Sequence, residues 1–346
     1  MASATACSSP TTARNPSPRS RAGSTTAPSR SELRHPYHTT FRRKRNTMTS
    51  TPEVSPEFAA ATSDHQWVEI NGNHLAVEVL GPEDAPVIIT HHGAPGLGSR
   101  AEPRASFGRL ADEYRVVVFD ARGSGQSEGN GTFSHEQWAA DIDGLREWIG
   151  AERIVMAGGS YGGFMAMEYA LRYPDRVAAV VLRDTSPDNS NAHLARENAL
   201  ASDRVSIDME KFDRIDVGTV RDNEDLKDCW REILPLYDFH YDPDAVERKV
   251  EATPYRYEAH NYAFSVNLPS YDLKPRLPEI SVPTLITVGR TDWITPVSCS
   301  QTIADLIPDS EMVVFEKSGH SPQIEEAEAW TDTVRTFLHR VYPPTA

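Results

Sequence analysis

From residue 66 onward the chain alternates between two hydrophobic periodicities. Short apolar runs recur at Val87–Thr90, Val116–Phe119, Ile154–Ala157, Ala178–Leu182, Leu285–Val288 and Met312–Phe315, the pattern of strands buried on both faces. Ahead of them, Gln66–Ile70 and His74–Leu80 flank Asn71-Gly72-Asn73, which reads as a hairpin closed by a glycine-containing turn. Helical patterns lie between the runs. In Glu136–Ile149, Trp138, Ile142, Leu145 and Ile149 share one face, and Ser134 with Gln137 predicts a capping box at its start. A second helix is expected from Ser160 through Tyr173, stopped by Pro174, and a last one from Ile324 to Val341 with Trp330, Val334 and Leu338 inward. Strands alternating with helices predict an α/β fold: a mostly parallel sheet, covered on both faces, with an antiparallel start.

The alternation lapses between Pro187 and Pro275. That stretch is rich in acids and aromatics, reads as helical around Glu224–Leu234 and offers no convincing buried strand. An insertion of this size after the sixth sheet strand has the character of a lid. The expected organisation is therefore a head at 1–50, a core at 60–186, a helical cap at 187–275 and the rest of the core at 276–346.

Composition changes this picture mainly at the head. The whole chain of 346 residues carries a formal charge of −15. Residues 1–50 hold nine Arg and Lys against one acid, Glu32, a net of +8, so the remainder carries −15 − 8 = −23. An acidic body argues against nucleic-acid binding by the folded part. The head, rich in Ser, Thr, Pro and Arg, lacks periodic apolar residues and cannot bury a core. It reads as a disordered tail, as a presequence for an organelle, or as an extension upstream of a start at Met48. No apolar run reaches the roughly 18–20 residues needed to span a bilayer. The three cysteines, Cys7, Cys229 and Cys299, have neither disulfide-framework nor metal-site spacing, and fit a reducing, cytoplasmic setting. No metal or other cofactor is expected.

The chemical signal is Gly158-Gly159-Ser160-Tyr161-Gly162-Gly163, set between a strand and a helix. A serine hydroxyl needs a sharp, exposed strand-to-helix turn to act as nucleophile, and only tiny residues two positions either side leave room for it. The competing reading is a glycine-rich turn without chemistry, which the flanking strand and helix disfavour. An acid and a histidine must then follow in that order. Asp292 and His320 each lie just past an apolar strand, on the edge where open α/β sheets assemble their sites. Asp184, after Ala178–Leu182, is the competing acid, and the turn around Asp292 favours Asp292. His91-His92-Gly93-Ala94-Pro95-Gly96 follows another strand. It is the expected source of one oxyanion donor, the amide of Ala94, with the amide of Tyr161 as the other. His91 and His92 read as structural or wall residues rather than metal ligands.

Taken together, His92–Gly96, Asp120–Ser127, Gly158–Gly163, Gly289–Asp292 and Gly319-His320 resemble the proline iminopeptidase branch of the α/β-hydrolase superfamily, over about residues 66–342. Ala94 departs from the His-Gly-Gly-Pro-Gly usual in the first motif. The resemblance implies an eight-stranded sheet, a helical cap and cofactor-free release of an N-terminal residue, often proline, from short peptides. It also implies cap acids that bind the substrate ammonium. Asn261 occupies the position expected for one of them, with Glu258 a turn earlier, and Glu224, Asp228 and Glu232 are candidates for the second. If these are only solvated cap residues, an uncharged ester, lactone or amide becomes the expected substrate. A carboxylesterase or lactonase with the same triad is thus the alternative, and a non-catalytic binding module on this fold the remaining class. The expected partner is a small molecule or short peptide, with no nucleic acid or membrane.

Overall fold

The computed structural model describes residues 65–344; the basic head at 1–50 lies outside them. Eight strands form one sheet: β1 (Gln66–Ile70), β2 (Asn73–Leu80), β3 (Val87–His91), β4 (Arg115–Phe119), β5 (Ile154–Gly159), β6 (Val177–Arg183), β7 (Thr284–Gly289) and β8 (Ser310–Phe315). Their spatial order is β1-β2-β4-β3-β5-β6-β7-β8. The β1–β2 and β2–β4 pairs are antiparallel and all later pairs parallel. Asn71 and Gly72 both take positive φ at the first hairpin, the Asn-Gly chemistry of a tight turn whose twist matches its strands.

The helices are α1 (Ala101–Ser106), α2 (His135–Ile149), α3 (Tyr161–Arg172), α4 (Asn191–Ala201), α5 (Met209–Asp216), α6 (Asn223–Ile233), α7 (Pro243–Ala252), α8 (Tyr257–Tyr262), α9 (Val297–Leu306), α10 (Pro322–Glu325) and α11 (Ala327–Val341). They cover both faces of the sheet. Trp138, Ile142 and Leu145 of α2 join α3 and Ile303 of α9 against one face, and Phe107, Trp330, Val334 and Leu338 fill the other. Parallel strands between two such layers must be apolar on both sides, and every residue of β3, β5, β6 and β7 is buried.

Two local expectations need correction. Ser134 caps α2 by accepting from the Gln137 amide, but the Gln137 side chain turns to Asp141, so the box is half closed. The final helix is broken at Glu326, whose φ of −120° and ψ of 46° separate α10 from α11. The break lets two consecutive carboxylates reach the loop carrying His320, as described below.

Helices α4–α8 lie between β6 and β7. Their neck is pinned where Asp188 bridges Asp272 and the Leu273 amide donates to the Pro187 carbonyl. Phe212, Ile215, Leu226 and Trp230 of this insertion pack with Leu97 and Trp293 from core loops, which places the insertion over the carboxyl ends of the strands. No described helix is long and apolar enough to cross a membrane.

One glycine fixes how closely the β7 and β8 loops approach. A Cβ built on Gly289 would sit 1.8 Å from the Gly319 carbonyl oxygen, inside any allowed contact. Gly289→Ala should therefore destabilise the protein by about 2–4 kcal/mol, read as a lower thermal midpoint. An unchanged midpoint would show that the loops separate freely.

Candidate active site

Ser160 sits at the break between β5 and α3 with φ 55° and ψ −125°. Such a backbone is costly for a residue with a side chain and persists only where its surroundings impose it. Here they do: the Ser160 amide donates to the Arg183 and Asp184 carbonyls at 2.9 and 3.1 Å, and its own carbonyl accepts from the Thr185 hydroxyl at 2.8 Å. The turn is as tight as the glycine pattern required. A Cβ on Gly162 would lie 2.3 Å from the His91 carbonyl, and one on Gly158 2.1 Å from the Gly162 carbonyl.

Asp292 and His320 meet at 2.8 Å, Oδ2 to Nδ1. The same carboxylate accepts from the Thr295 hydroxyl at 2.7 Å and from the amides of Ile294 and Thr295 at 3.0 and 3.1 Å. Burial opposes ionisation of Asp292, but the neighbouring His320 and these hydrogen bonds outweigh it and hold the carboxyl below its ordinary range. Because Nδ1 faces the carboxylate, Nε2 is the nitrogen left for proton transfer. His320 and Ser160 line one cavity, and neither Ser160 Oγ nor His320 Nε2 has a hydrogen-bond partner among the described residues.

The His320 loop is held by residues that carry no motif. Glu325 accepts from the Gly319 amide and, with its other oxygen, from the Phe239 amide, both at 2.7 Å. Glu326 accepts from the Lys317 amide and the Ser318 hydroxyl. Arg183 donates to the His320 carbonyl at 3.0 Å. From the insertion, Tyr237 accepts the His320 amide at 2.7 Å and sets its ring edge-on to the imidazole at 5.2 Å between centroids. The only sequence trace of these roles is a run of acids directly after the histidine loop.

Ala94 and Tyr161 both line the space in front of Ser160, and Gly93 lies against the serine, where a Cβ would be 3.7 Å from Ser160 Cβ. Tyr161 is the first residue of α3, so its amide belongs to the unpaired positive end of that helix. His92 is a structural clip: Nδ1 faces the Gly93 carbonyl and Nε2 accepts from the Ala121 amide. Burial lowers the His92 pKa to about 4 and that of His91, beside it, to about 3, so both rings are neutral.

Two chambers meet at Ser160. The inner one, of about 60 Å³, is walled by Phe164, Phe212, Trp230, Phe264 and Trp293. The outer one, of about 250 Å³, holds His320 and polar groups including Arg183 and Gln323. None of Glu224, Asp228, Glu232, Glu258 and Asn261 lines either chamber. Leu226, Trp230 and Ile233 form the buried stripe of α6, which turns the i, i+4, i+8 row of Glu224, Asp228 and Glu232 elsewhere. Glu224 is exposed, Asp228 pairs with Arg231, and Glu232 pairs with Lys211. Glu258 is exposed as well. Asn261 clips the insertion together, accepting from the Val220 amide and donating to the Val220 carbonyl.

The acid in the inner chamber is Asp216, at the end of α5. It has no hydrogen bond or ion pair among the described residues. Burial first, and then the nearby Asp213, push its pKa up to about 6 against the pull of Arg196. Its signal in the sequence was weak: an acid directly after the apolar pair Phe212 and Ile215.

Removing the Glu325 carboxylate should free the His320 loop. Glu325→Ala is expected to lower turnover by about 10–100-fold, the scale of a displacement near 1 Å, with partial recovery in Glu325→Gln. An unchanged rate would mean that the loop is held without it.

Comparison with known proteins identifies the family. Residues 86–327 match the alpha/beta hydrolase fold family. The chain is 34% identical to a proline iminopeptidase of Pestalotiopsis fici, over 80% of this chain and 99% of that one. It is 28% identical to a 2-hydroxy-6-oxo-6-phenylhexa-2,4-dienoate hydrolase of Burkholderia cepacia, covering 79% and 96%. Among solved structures it resembles a thermophilic esterase of Thermogutta terrifontis, with a TM-score of 0.63, 28% identity and coverage of 80% and 97%. The chain belongs to the alpha/beta hydrolase family, as an enzyme similar to the proline iminopeptidases.

Proposed function

We propose that the protein is a serine hydrolase that works through an acyl-enzyme and releases the N-terminal residue of short peptides or amides. Ser160 Oγ attacks the scissile carbonyl while His320 Nε2 takes its proton, and Asp292 stabilises the imidazolium. The amides of Ala94 and Tyr161 receive the developing oxyanion. His320 returns the proton to the leaving amine, and water repeats the sequence on the ester formed at Ser160.

Asp216 carries the choice of substrate. A chamber of aromatic walls with a single unpaired carboxylate suits an acyl group bearing an ammonium, because the charge that costs most when buried alone is neutralised on binding. The relative named as a proline iminopeptidase supports the same reading. A second reading, an uncharged ester or lactone, draws support from the otherwise apolar lining and from the esterase of similar structure.

Paired substrates separate the two. Prolyl-naphthylamide should be cleaved at least about tenfold better than its acetyl-blocked analogue, a modest effect for one unpaired, half-buried charge. That preference should fade as the pH falls through about 6 and Asp216 takes up its proton. Equal or better cleavage of the blocked amide or of p-nitrophenyl esters would favour the second reading.

Asp216 also predicts a stability signature. Its folded pKa of about 6 lies above the ordinary 3.8, so the ionised carboxyl opposes folding, and stability falls as the pH rises between those values. Asp216→Asn should raise the thermal midpoint at pH 8 and leave it unchanged at pH 4, while abolishing the free-amine preference. A midpoint that drops at pH 8 would show that the carboxylate is a structural support.

A further inference from the structure

Asp184 follows β6 and is fully buried, yet the mechanism above gives its side chain no work. Its oxygens and those of Asp292 come together with a His320 nitrogen so that the three ligand atoms lie within 4.8 Å of one another. Two carboxylates in one buried space cannot both ionise without a large repulsive cost. Their surroundings set which of them keeps the charge. Asp292 accepts four hydrogen bonds, including the one from His320. Asp184 accepts the Gly289 amide at 2.9 Å and a longer contact from Arg183 at 3.3 Å.

We infer that Asp184 and Asp292 form one acid site that holds a single negative charge next to His320, and that Asp184 supplies that charge when Asp292 cannot. In the native protein the better-bonded Asp292 carries the charge and Asp184 is held in reserve. Burial, then the charge on Asp292, raise its pKa well above the ordinary value, while Arg183 and the Gly289 amide pull the other way. With Asp292 neutral, its repulsion is gone, and Arg183, the Gly289 amide and a positive imidazole ring within 4.8 Å remain to favour the Asp184 carboxylate against its burial. The His320 ring then finds its countercharge on a carboxylate whose oxygen lies within 4.8 Å of a ring nitrogen.

The groups facing this site come from four elements. Arg183 belongs to β6 and also contacts Glu102. Gly289 ends β7, Asp292 and Thr295 follow it, and His320 follows β8. Cys299 of α9 also feels the Asp292 charge, and its thiol is raised to about 11, with burial the first cause, so it stays neutral. The same three side chains would be the donor set for a cation. Here each is already committed, Asp292 to His320 and Asp184 to Arg183 and Gly289.

The backbone adds a constraint on how the idea is tested. Asp184 has φ 45°, its amide donates to the Thr287 carbonyl, and its carbonyl receives the Ser160 amide. Removing the side chain with alanine would disturb the frame of Ser160. Asparagine tolerates the left-handed region and keeps the shape, so Asp→Asn exchanges are the informative ones.

The readout is the rate at which a fluorophosphonate labels Ser160, which reports activation of the serine whatever the natural substrate. The inference rests on Ser160 being the nucleophile, and the two ideas fail separately. Where a single acid serves the histidine, its Asp→Asn exchange costs on the order of 10⁴-fold. Here Asp184→Asn alone should change the labelling rate less than about threefold, and Asp292→Asn should lose only about 10–100-fold. The double variant should fall to the full loss, about 10⁴-fold. A double variant no slower than Asp292→Asn, or an Asp184→Asn variant as slow as Asp292→Asn, would overturn the shared acid site. Thermal midpoints of the three variants within a few degrees of the parent exclude unfolding as the cause. Failure of the unmodified protein to label at Ser160 would overturn the nucleophile assignment, and the shared acid site with it.

Discussion

The structure depends on one strained turn. Ser160 adopts a backbone conformation that a free chain would abandon, and it is held there by the ends of the adjoining strand. Its amide is bonded to two successive carbonyls at the end of β6, and its carbonyl to Thr185. Everything nearby follows from keeping that turn. Glycines lie where a Cβ would strike neighbouring carbonyls, helix α3 begins at the next residue, and Gly93 packs against the serine. The sheet supplies rigidity because its central strands are buried on both faces, and the loops at its carboxyl edge inherit that rigidity.

A second buried interaction supports the proposed chemistry: the contact between Asp292 and His320. It survives burial because four donors satisfy the carboxylate and because the histidine loop is tied down by Glu325, Glu326, Arg183 and the Tyr237 carbonyl. One of these ties comes from the insertion. The segment that shapes the chamber thus also steadies the imidazole.

The framework was legible in the sequence because it is local. Apolar runs of strand length, a hairpin turn and a glycine-flanked serine each depend on a few adjacent residues, and the order of Ser160, Asp292 and His320 depends only on chain direction. The insertion was not legible in the same way. Which face of α6 turns inward is decided by its packing through Leu226, Trp230 and Ile233 against the other cap helices, so the acids that stood out by spacing ended on the outside. Asn261 matched an expected position and proved to be a fastener for Val220. Asp216 has no such signal because nothing around it repeats; its place in the chamber arises only where the end of α5 meets the aromatic walls. The broken final helix follows the same rule, since its cause is the distant loop that Glu325 and Glu326 hold.

The account stands most directly on a covalent intermediate at Ser160. Rapid acid quench of the reaction with p-nitrophenyl acetate, followed by mass spectrometry of the digested protein, tests it. The expected result is an initial burst of nitrophenol matched by an acetyl group on the peptide containing Ser160, with both lost in Ser160→Ala. Undiminished turnover by Ser160→Ala, or an acetyl group carried through turnover on another residue, would contradict it.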